Sequence, residues 1–448
     1  MEAAWAAAQR GAIVTLYEMR PERTTPVHHT GFLAELVCSN SFKSNLLTNA
    51  SGTLKEEMRR LGSLIIPVAE RHRVPAGEAL AVDPLQFSTE VTAAIEGHPS
   101  IRLVRKEVTA LPNERPLIIA TGPLTSDSLA AAIAGITGSE SLSFYDAVAP
   151  TVTLESLNMD RLFRASRRGK GMNSANPLTG ESSEVTAESN ADYLNAPLTK
   201  EEYEAFWQEL CGAETAPLHE FEEDGSIAKP VFFEMCLPIE ELARRGQRTL
   251  SFGAMKPIGL IDPRTGKRPW AVVQLRQENR EGAIWGLVGF QTRLKWGEQK
   301  RIFRMIPGLE NAEFVRYGVI HRNTYINSPI LLDRCCRFKA DKGIFFAGQI
   351  TGVEGYLESA AIGIVAGINA ARQAEGKPCV ELPSVSVLGS LCHYLTDTEP
   401  RHFAPMNSNW GIAPELEDPL IRDKKTKAEQ KSARALAAID RFVFESTV

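Results

Sequence analysis

The stretch Gly343-Ile-Phe-Phe-Ala-Gly-Gln-Ile-Thr-Gly-Val-Glu-Gly-Tyr-Leu-Glu-Ser-Ala-Ala-Ile-Gly-Ile-Val-Ala-Gly-Ile-Asn-Ala-Ala-Arg372 decides the fold of this chain. It divides into a short apolar strand, a loop with Gly348, Gly352 and Gly355, and a helix with the small residues Ser359, Ala360, Gly363 and Gly367 on one face. Bare backbone at a helix N-terminus lets a large anionic cofactor approach closely, so the run reads as part of a flavin site. The cofactor-binding candidates in it are Gly348, Gly352, Val353, Glu354, Gly355, Tyr356 and Ser359.

Working outward, the usual companion of such a run is a G-x-G-x-x-G between a first strand and a first helix. This chain opens at Met1-Glu-Ala-Ala-Trp5, already helical in composition, and Gly11 ends that helix. Ala12-Ile-Val-Thr-Leu-Tyr-Glu18 follows as a strand closing on an acid. A carboxylate at that strand tip binds ribose hydroxyls in dinucleotide folds, which makes Glu18 the ribose candidate. The preceding strand and glycine loop, on the order of 15 residues, are expected to be missing. Without those backbone donors, weak flavin binding is expected.

Length and composition set the class. With 448 residues, 43% hydrophobic and 23% charged, the chain has room for two or three soluble domains. No long uninterrupted apolar window or signal-peptide layout appears, so no membrane is expected and the cytoplasm is the expected compartment. Seven scattered cysteines fit a reducing compartment and none has metal-ligand spacing. A net charge of −5 excludes a protein that coats nucleic acid by bulk charge. Three basic clusters nonetheless permit a local RNA-facing surface: Arg164, Arg167, Arg168 and Lys170; Arg264, Lys267 and Arg268; Arg293, Lys295, Lys300, Arg301 and Arg304.

The expected fold is α/β: a discontinuous, Rossmann-like, two-part flavoprotein domain interrupted by an inserted α+β domain. Residues 1–145 form its first part, with Leu117-Ile-Ile-Ala-Thr-Gly-Pro123 the strand and turn that pass the cofactor. The insertion is placed at 146–240, with a helix over Lys200–Leu210 and a polar, mobile loop over 169–191. The flavin domain resumes over 241–414, and a charged helical tail over 415–448 packs outside through Leu436, Ile439 and Phe442.

Two cysteines sit where a thiolate is useful. Cys38 ends the apolar run Glu35-Leu-Val-Cys-Ser-Asn-Ser41, and Cys236 ends Val231-Phe-Phe-Glu-Met-Cys just before a helix whose dipole lowers a thiol pKa. Cys335 and Cys336 lack such a context and read as structural.

A string of motifs then carries a resemblance. Val37-Cys-Ser-Asn-Ser41, Phe233-Glu-Met-Cys236, Met255-Lys-Pro-Ile-Gly-Leu260, Val273-Gln-Leu-Arg-Gln277, Gly289-Phe-Gln-Thr292, His321-Arg-Asn-Thr-Tyr325 and Val353-Glu-Gly-Tyr-Leu-Glu-Ser-Ala360, in this order, resemble the folate- and flavin-dependent tRNA uracil-5-methyltransferases from Glu2 to about Trp410. Residues 348–372 also resemble a larger tRNA wobble-uridine flavoprotein. The first resemblance implies FAD, 5,10-methylenetetrahydrofolate, NADPH or NADH, and methylation at C5 of the T-loop uridine, position 54 in tRNA numbering. It also implies Cys236 as the nucleophile that adds to C6 of the uracil and Cys38 as its partner at the C5 proton. His321 and Tyr356 are stacking candidates on pterin or isoalloxazine, with core packing the competing role. Arg322 and Asn323, with Arg293, Lys295 and Arg301, are the remaining substrate-binding candidates. Two other classes stay open: an FAD-dependent thiol/disulfide oxidoreductase, against which the wide spacing of Cys38 and Cys236 argues, and a truncated, non-enzymatic tRNA-binding protein.

Overall fold

The computed structural model describes residues 1–25, 27–138, 142–167, 191–216, 237–418 and 421–447, without the side chains of 142–145, 321, 322, 446 and 447. Cys236 and all of the 169–191 loop but Ala191 lie outside that range.

The first part runs α1 (Glu2–Ala8), β1 (Val14–Glu18), β2 (Ser41–Ser44), α2 (Ala50–Arg60), α3 (Ile65–Arg71), β3 (Arg73–Val74), β4 (Ala79–Val82), α4 (Pro84–Glu96), β5 (Ile101–Arg105), β6 (Leu117–Ile119), α5 (Asp127–Thr137) and β7 (Leu142–Ala147). α4 starts where the sequence prescribes: Asp83 Oδ1 accepts from Leu85 N and Gln86 N, and Pro84 has no N–H to lose. β1 pairs in parallel with β5, and β2, β4 and β3 form a small antiparallel sheet.

Six strands then build a second layer. β8 (Thr151–Thr153), β9 (Phe163–Arg164), β10 (Tyr193–Leu198), β11 (Ala271–Gln277), β12 (Ile284–Leu287) and β13 (Phe314–Arg316) form one antiparallel sheet in the order β13-β8-β12-β11-β10-β9. The helices α6 (Lys200–Gly212), α7 (Ile239–Arg244), α8 (Thr249–Phe252) and α9 (Trp296–Phe303) belong to this unit. A capping box between Thr199 and Glu202 starts α6, and Tyr203, Phe206 and Leu210 bury one face of it. β11 alternates: Ala271, Val273 and Leu275 enter the core, while Val272, Gln274 and Arg276 face the other way. The expected boundary at 240 is therefore corrected. The sheet joins strands on both sides of it, and the inserted unit continues to Arg316, because β10 takes its partner from residues 271–276.

The chain returns through β14 (Ile320–Tyr325), antiparallel to β7, then α10 (Ser328–Leu331), β15 (Ile344–Phe346), α11 (Tyr356–Ala374), α12 (Val387–Asp397) and α13 (Lys424–Thr447). β15 pairs in parallel with β6, so the 343–346 strand lies beside the Ala-Thr-Gly strand. The parallel strands of the flavin part form two separate pairs, β1–β5 and β6–β15; among the described residues no strand joins them. α1 packs instead across α11, where a side chain at Gly367 would lie 2.4 Å from Ala3 O. α13 buries Leu436 and Ile439, and half-buried Phe442 packs on the same core as Ile439. Among the described residues no helix is long and apolar enough to cross a membrane.

Candidate functional site

A cavity of about 480 Å³ opens where the two parallel pairs, the N-terminus of α11 and the inserted sheet meet. Its walls are residues 120–124 after β6, 347–349 after β15, the start of α11, the tip of β1, residues 34–39, and Arg276 and Gln291 from the inserted unit. Gly348 (φ 79°) and Gly355 (φ 110°) both adopt left-handed backbone that a side chain resists, and their bare faces form part of the wall. Glu354, Tyr356 and Ser359 line it.

Four expectations are corrected by packing. Gly352 turns away from the cavity, its missing Cβ 2.5 Å from the Phe403 ring, and Val353 is fully buried in the core. Tyr356 presents part of its surface, but its ring packs edge-on to Phe42 and Phe87 and its hydroxyl donates to Ala34 O at 3.2 Å. Burial pushes its phenol pKa up, and its role is packing. The cluster Arg293, Lys295 and Arg301 is no free basic face. Arg293 pairs with Glu241 at 2.8 Å, Lys295 with Glu214 at 2.6 Å, and Arg301 with Glu209 and Glu298, because α6, α7 and α9 bring acids alongside.

Glu18 stands at the cavity, yet Arg20 grips both of its oxygens, with Nε to Oε1 and Nη2 to Oε2 at 3.0 Å. Burial alone raises this carboxyl; the hydrogen bonds and charge of Arg20 outweigh it and hold the pKa below the ordinary value. Nearby, burial followed by the charge of Arg20 lowers the His28 imidazole to about 4, leaving it neutral at working pH. Cys38 lines the cavity, its thiol 3.7 Å from Ala147 O. Asn323 is fully buried on β14 and neither end of its amide has a partner among the described residues; its neighbour His321 is in register with Asp146, which reaches the cavity.

Sequence reading missed three residues that matter here. Lys43 lines the cavity with left-handed backbone (φ 63°), strain of order 1–3 kcal/mol for a side-chain-bearing residue. Its ammonium pairs at 2.7 Å with the fully buried Glu358, which also accepts from Ser408 N at 2.9 Å. Arg276 donates to Ser39 Oγ at 3.0 Å from the opposite wall. Glu358 and Arg276 both stand inside quoted motifs, which was the available signal; the φ of Lys43 leaves none. Two buried polar atoms beside Gly355, Glu358 Oε2 and Ser359 Oγ, have no partner among the described residues. A glycine-walled cavity with the orphan hydroxyl of Ser359 in its wall fits a cofactor such as FAD, whose ring edge and ribityl chain offer both donors and acceptors.

Parallel strand pairs, a glycine-walled helix start and an antiparallel sheet beside them define an α/β flavoprotein fold. The profile of the glucose inhibited division protein A family matches residues 1–378. Aquifex aeolicus GidA, in its form II crystal, superposes with a TM-score of 0.69 over 99% of this chain and 71% of that one, at 16% identity, a likeness of fold alone. Sequence relatives extend over nearly the full length. A protein of Symbiobacterium thermophilum is 57% identical over 435 residues, covering 97% of this chain and 93% of the relative. One of Pelotomaculum thermopropionicum is 55% identical over 441 residues, covering 98% and 95%. Both bear the name methylenetetrahydrofolate--tRNA-(uracil-5-)-methyltransferase TrmFO, and this chain belongs to the TrmFO family.

Proposed function

We infer that this chain transfers a one-carbon unit from 5,10-methylenetetrahydrofolate to C5 of a tRNA uridine, the T-loop uridine at position 54, as an FAD-dependent methyltransferase. The observation that carries this reading is the cavity itself: residues of four resemblance motifs, Cys38, Arg276, Gln291 and Gly355, converge on it from distant parts of the chain, in a protein more than half identical to named TrmFO proteins.

Gly348, Gly355 and Ser359 would hold the flavin, with Glu18, positioned by Arg20, facing the ribose. The bound flavin supplies reducing equivalents, replenished from NADPH or NADH, and the route for the carbon unit. The remaining work falls to the chain. Uracil C5 is a weak nucleophile, so the thiolate of Cys236 adds to C6 and the electron pair moves to C5. After C5 gains its new carbon, Cys38 removes the C5 proton, and elimination breaks the sulfur–C6 bond and returns the Cys236 thiolate. Lys43, held by Glu358, places a positive charge on the cavity wall where negative charge on a bound ring is stabilised. Arg276 closes the cavity from the inserted unit.

A T-arm RNA carrying 5-fluorouracil tests the assignment, because fluorine at C5 blocks the elimination. The flavin-loaded protein should form a covalent RNA adduct resistant to denaturing gel electrophoresis, and Cys236→Ala should abolish it. Cys38→Ala should slow methylation roughly 10²–10⁴-fold with RNA affinity retained. An adduct that persists in Cys236→Ala and vanishes in Cys38→Ala reverses the two roles.

A further inference from the structure

Arg293, Lys295 and Arg301 each already pair with an acid, which favours a surface whose cations are less committed. The inserted unit offers one at the opposite end of β11 from the cavity. Trp270, immediately before β11, is 39% exposed, and Phe252, at the end of α8, is 68% exposed. The Arg248 guanidinium lies 5.1 Å from the Phe252 ring centre and 5.8 Å from that of Trp270, while the Lys200 ammonium stands 5.7 Å from Trp270. Among the described residues no carboxylate pairs with Arg248, and Lys200 has only Glu204, at 3.8 Å. Exposed aromatic rings interleaved with Arg248, which no described carboxylate pairs, and with the loosely paired Lys200 match a polyanion with stacking bases.

The same strand face leads inward. Trp270, Val272, Gln274 and Arg276 alternate onto one side of β11; Val272 is buried with Phe163 and Leu260 and Gln274 is buried, which leaves Trp270 and Arg276 as the two ends of a span of about 20 Å at ~3.3 Å per residue. Gln274 lines a second cavity of about 480 Å³, between the inserted unit and the β2–β4 sheet. Arg167 and Lys256 stand in its wall, with Glu78 the one carboxylate there. Arg167 Nη2 donates to Lys256 O at 3.0 Å, and its buried Nε has no partner among the described residues. Arg276 then reaches the large cavity, beside Ser39.

We propose that the backbone of the RNA substrate runs over the surface of the inserted unit, from the Arg248–Trp270–Phe252 cluster, past the Arg167 and Lys256 cavity, to the Arg276 wall where the target base enters. The proposal rests on the tRNA methyltransferase reading. Its test is binding of a T-arm RNA hairpin to the full chain, followed by fluorescence anisotropy across a salt series. Replacing Lys200, Arg248 and Lys256 together by Gln should weaken binding at least tenfold near 0.1 M salt and flatten the log–log salt slope by up to about 2–3, since each lost phosphate contact removes ~0.7–0.9. Arg248→Lys alone should keep the slope, and Phe252→Ser should weaken binding without changing it. Replacing Arg293, Lys295 and Arg301 by Gln should leave the slope unaltered. An unchanged slope in the first triple variant, or a reduced one in the second, overturns the placement while leaving the enzyme reading intact. A wild-type chain that does not bind the hairpin overturns both.

Discussion

Two buried carboxylates show how this chain manages charge at the level of single residues. Glu358 meets an ammonium, Lys43, and a serine, and so stays within an ion pair at the cavity wall. Glu57 meets no such partner. It lies fully buried on α2, accepts only from Val387 N at 2.7 Å and Leu388 N at 2.9 Å at the start of α12, and burial raises its pKa from 4.5 to about 7. The sign follows from linkage: with the folded pKa above the unfolded one, the stability tied to Glu57 is fully present below about pH 4.5 and is lost as pH rises through about 7. The loss is roughly 3 kcal/mol. Glu57→Gln keeps an acceptor for the backbone of α12 and cannot ionise, so its melting temperature should fall less between pH 5 and pH 8 than that of the wild type. Equal falls in the two proteins would refute the assignment.

Among elements, the contact of α1 with α11 sets two tendencies against each other. Alanine at a helix interior is favoured over glycine by about 1 kcal/mol. At Gly367 the added Cβ would lie 2.4 Å from Ala3 O and 2.9 Å from Ala6 Cβ, so one helix must move. Overpacking of this kind costs typically 1–3 kcal/mol. Gly367→Ala should therefore lower the urea midpoint, with α1 displaced from the cavity that Met1, Glu2 and Ala3 help to line; a raised midpoint would show that propensity prevails. This stripe of small residues was legible in the sequence, as were the Ala-Thr-Gly strand, α6 and the α13 tail, because each carries its own periodicity or caps. The reach of the inserted sheet was not, since β11 finds its partner more than seventy positions upstream. Nor was the neutralisation of Arg293, Lys295 and Arg301, which depends on acids that tertiary packing delivers from α6 and α7.

At the scale of the molecule, the apolar core of the inserted unit meets the flavin part across a polar seam. In the flavin part the main cluster gathers α2, α11 and α12 around Phe345 and Leu391; the inserted unit gathers the six-stranded sheet with α6 and α9 around Trp285, Phe206 and Phe290. Hydrogen bonds join the inserted unit to the flavin part beside the β2–β4–β3 sheet: Gly77 N to Asp192 at 2.7 Å, Tyr193 hydroxyl to Ala76 O at 2.9 Å, Arg280 N to Asp83 at 3.0 Å, and Asn40 to Gln277 O at 3.2 Å. A seam of this type couples two cores weakly, so calorimetry should resolve two unfolding transitions where a single core would give one. Phe206→Ala, a large-to-small change in the inserted core, should lower one transition by roughly 3–5 kcal/mol and leave the other nearly in place. Gly367→Ala should do the reverse. FAD at 100 times its dissociation constant should stabilise by about 2.7 kcal/mol only the transition that Gly367→Ala lowers, because the glycines and the orphan hydroxyl of the site belong to the flavin part. One transition that shifts as a whole with FAD and with either substitution would mean that the seam locks the two cores into a single cooperative unit, with Arg276 and the flavin site held as one rigid wall.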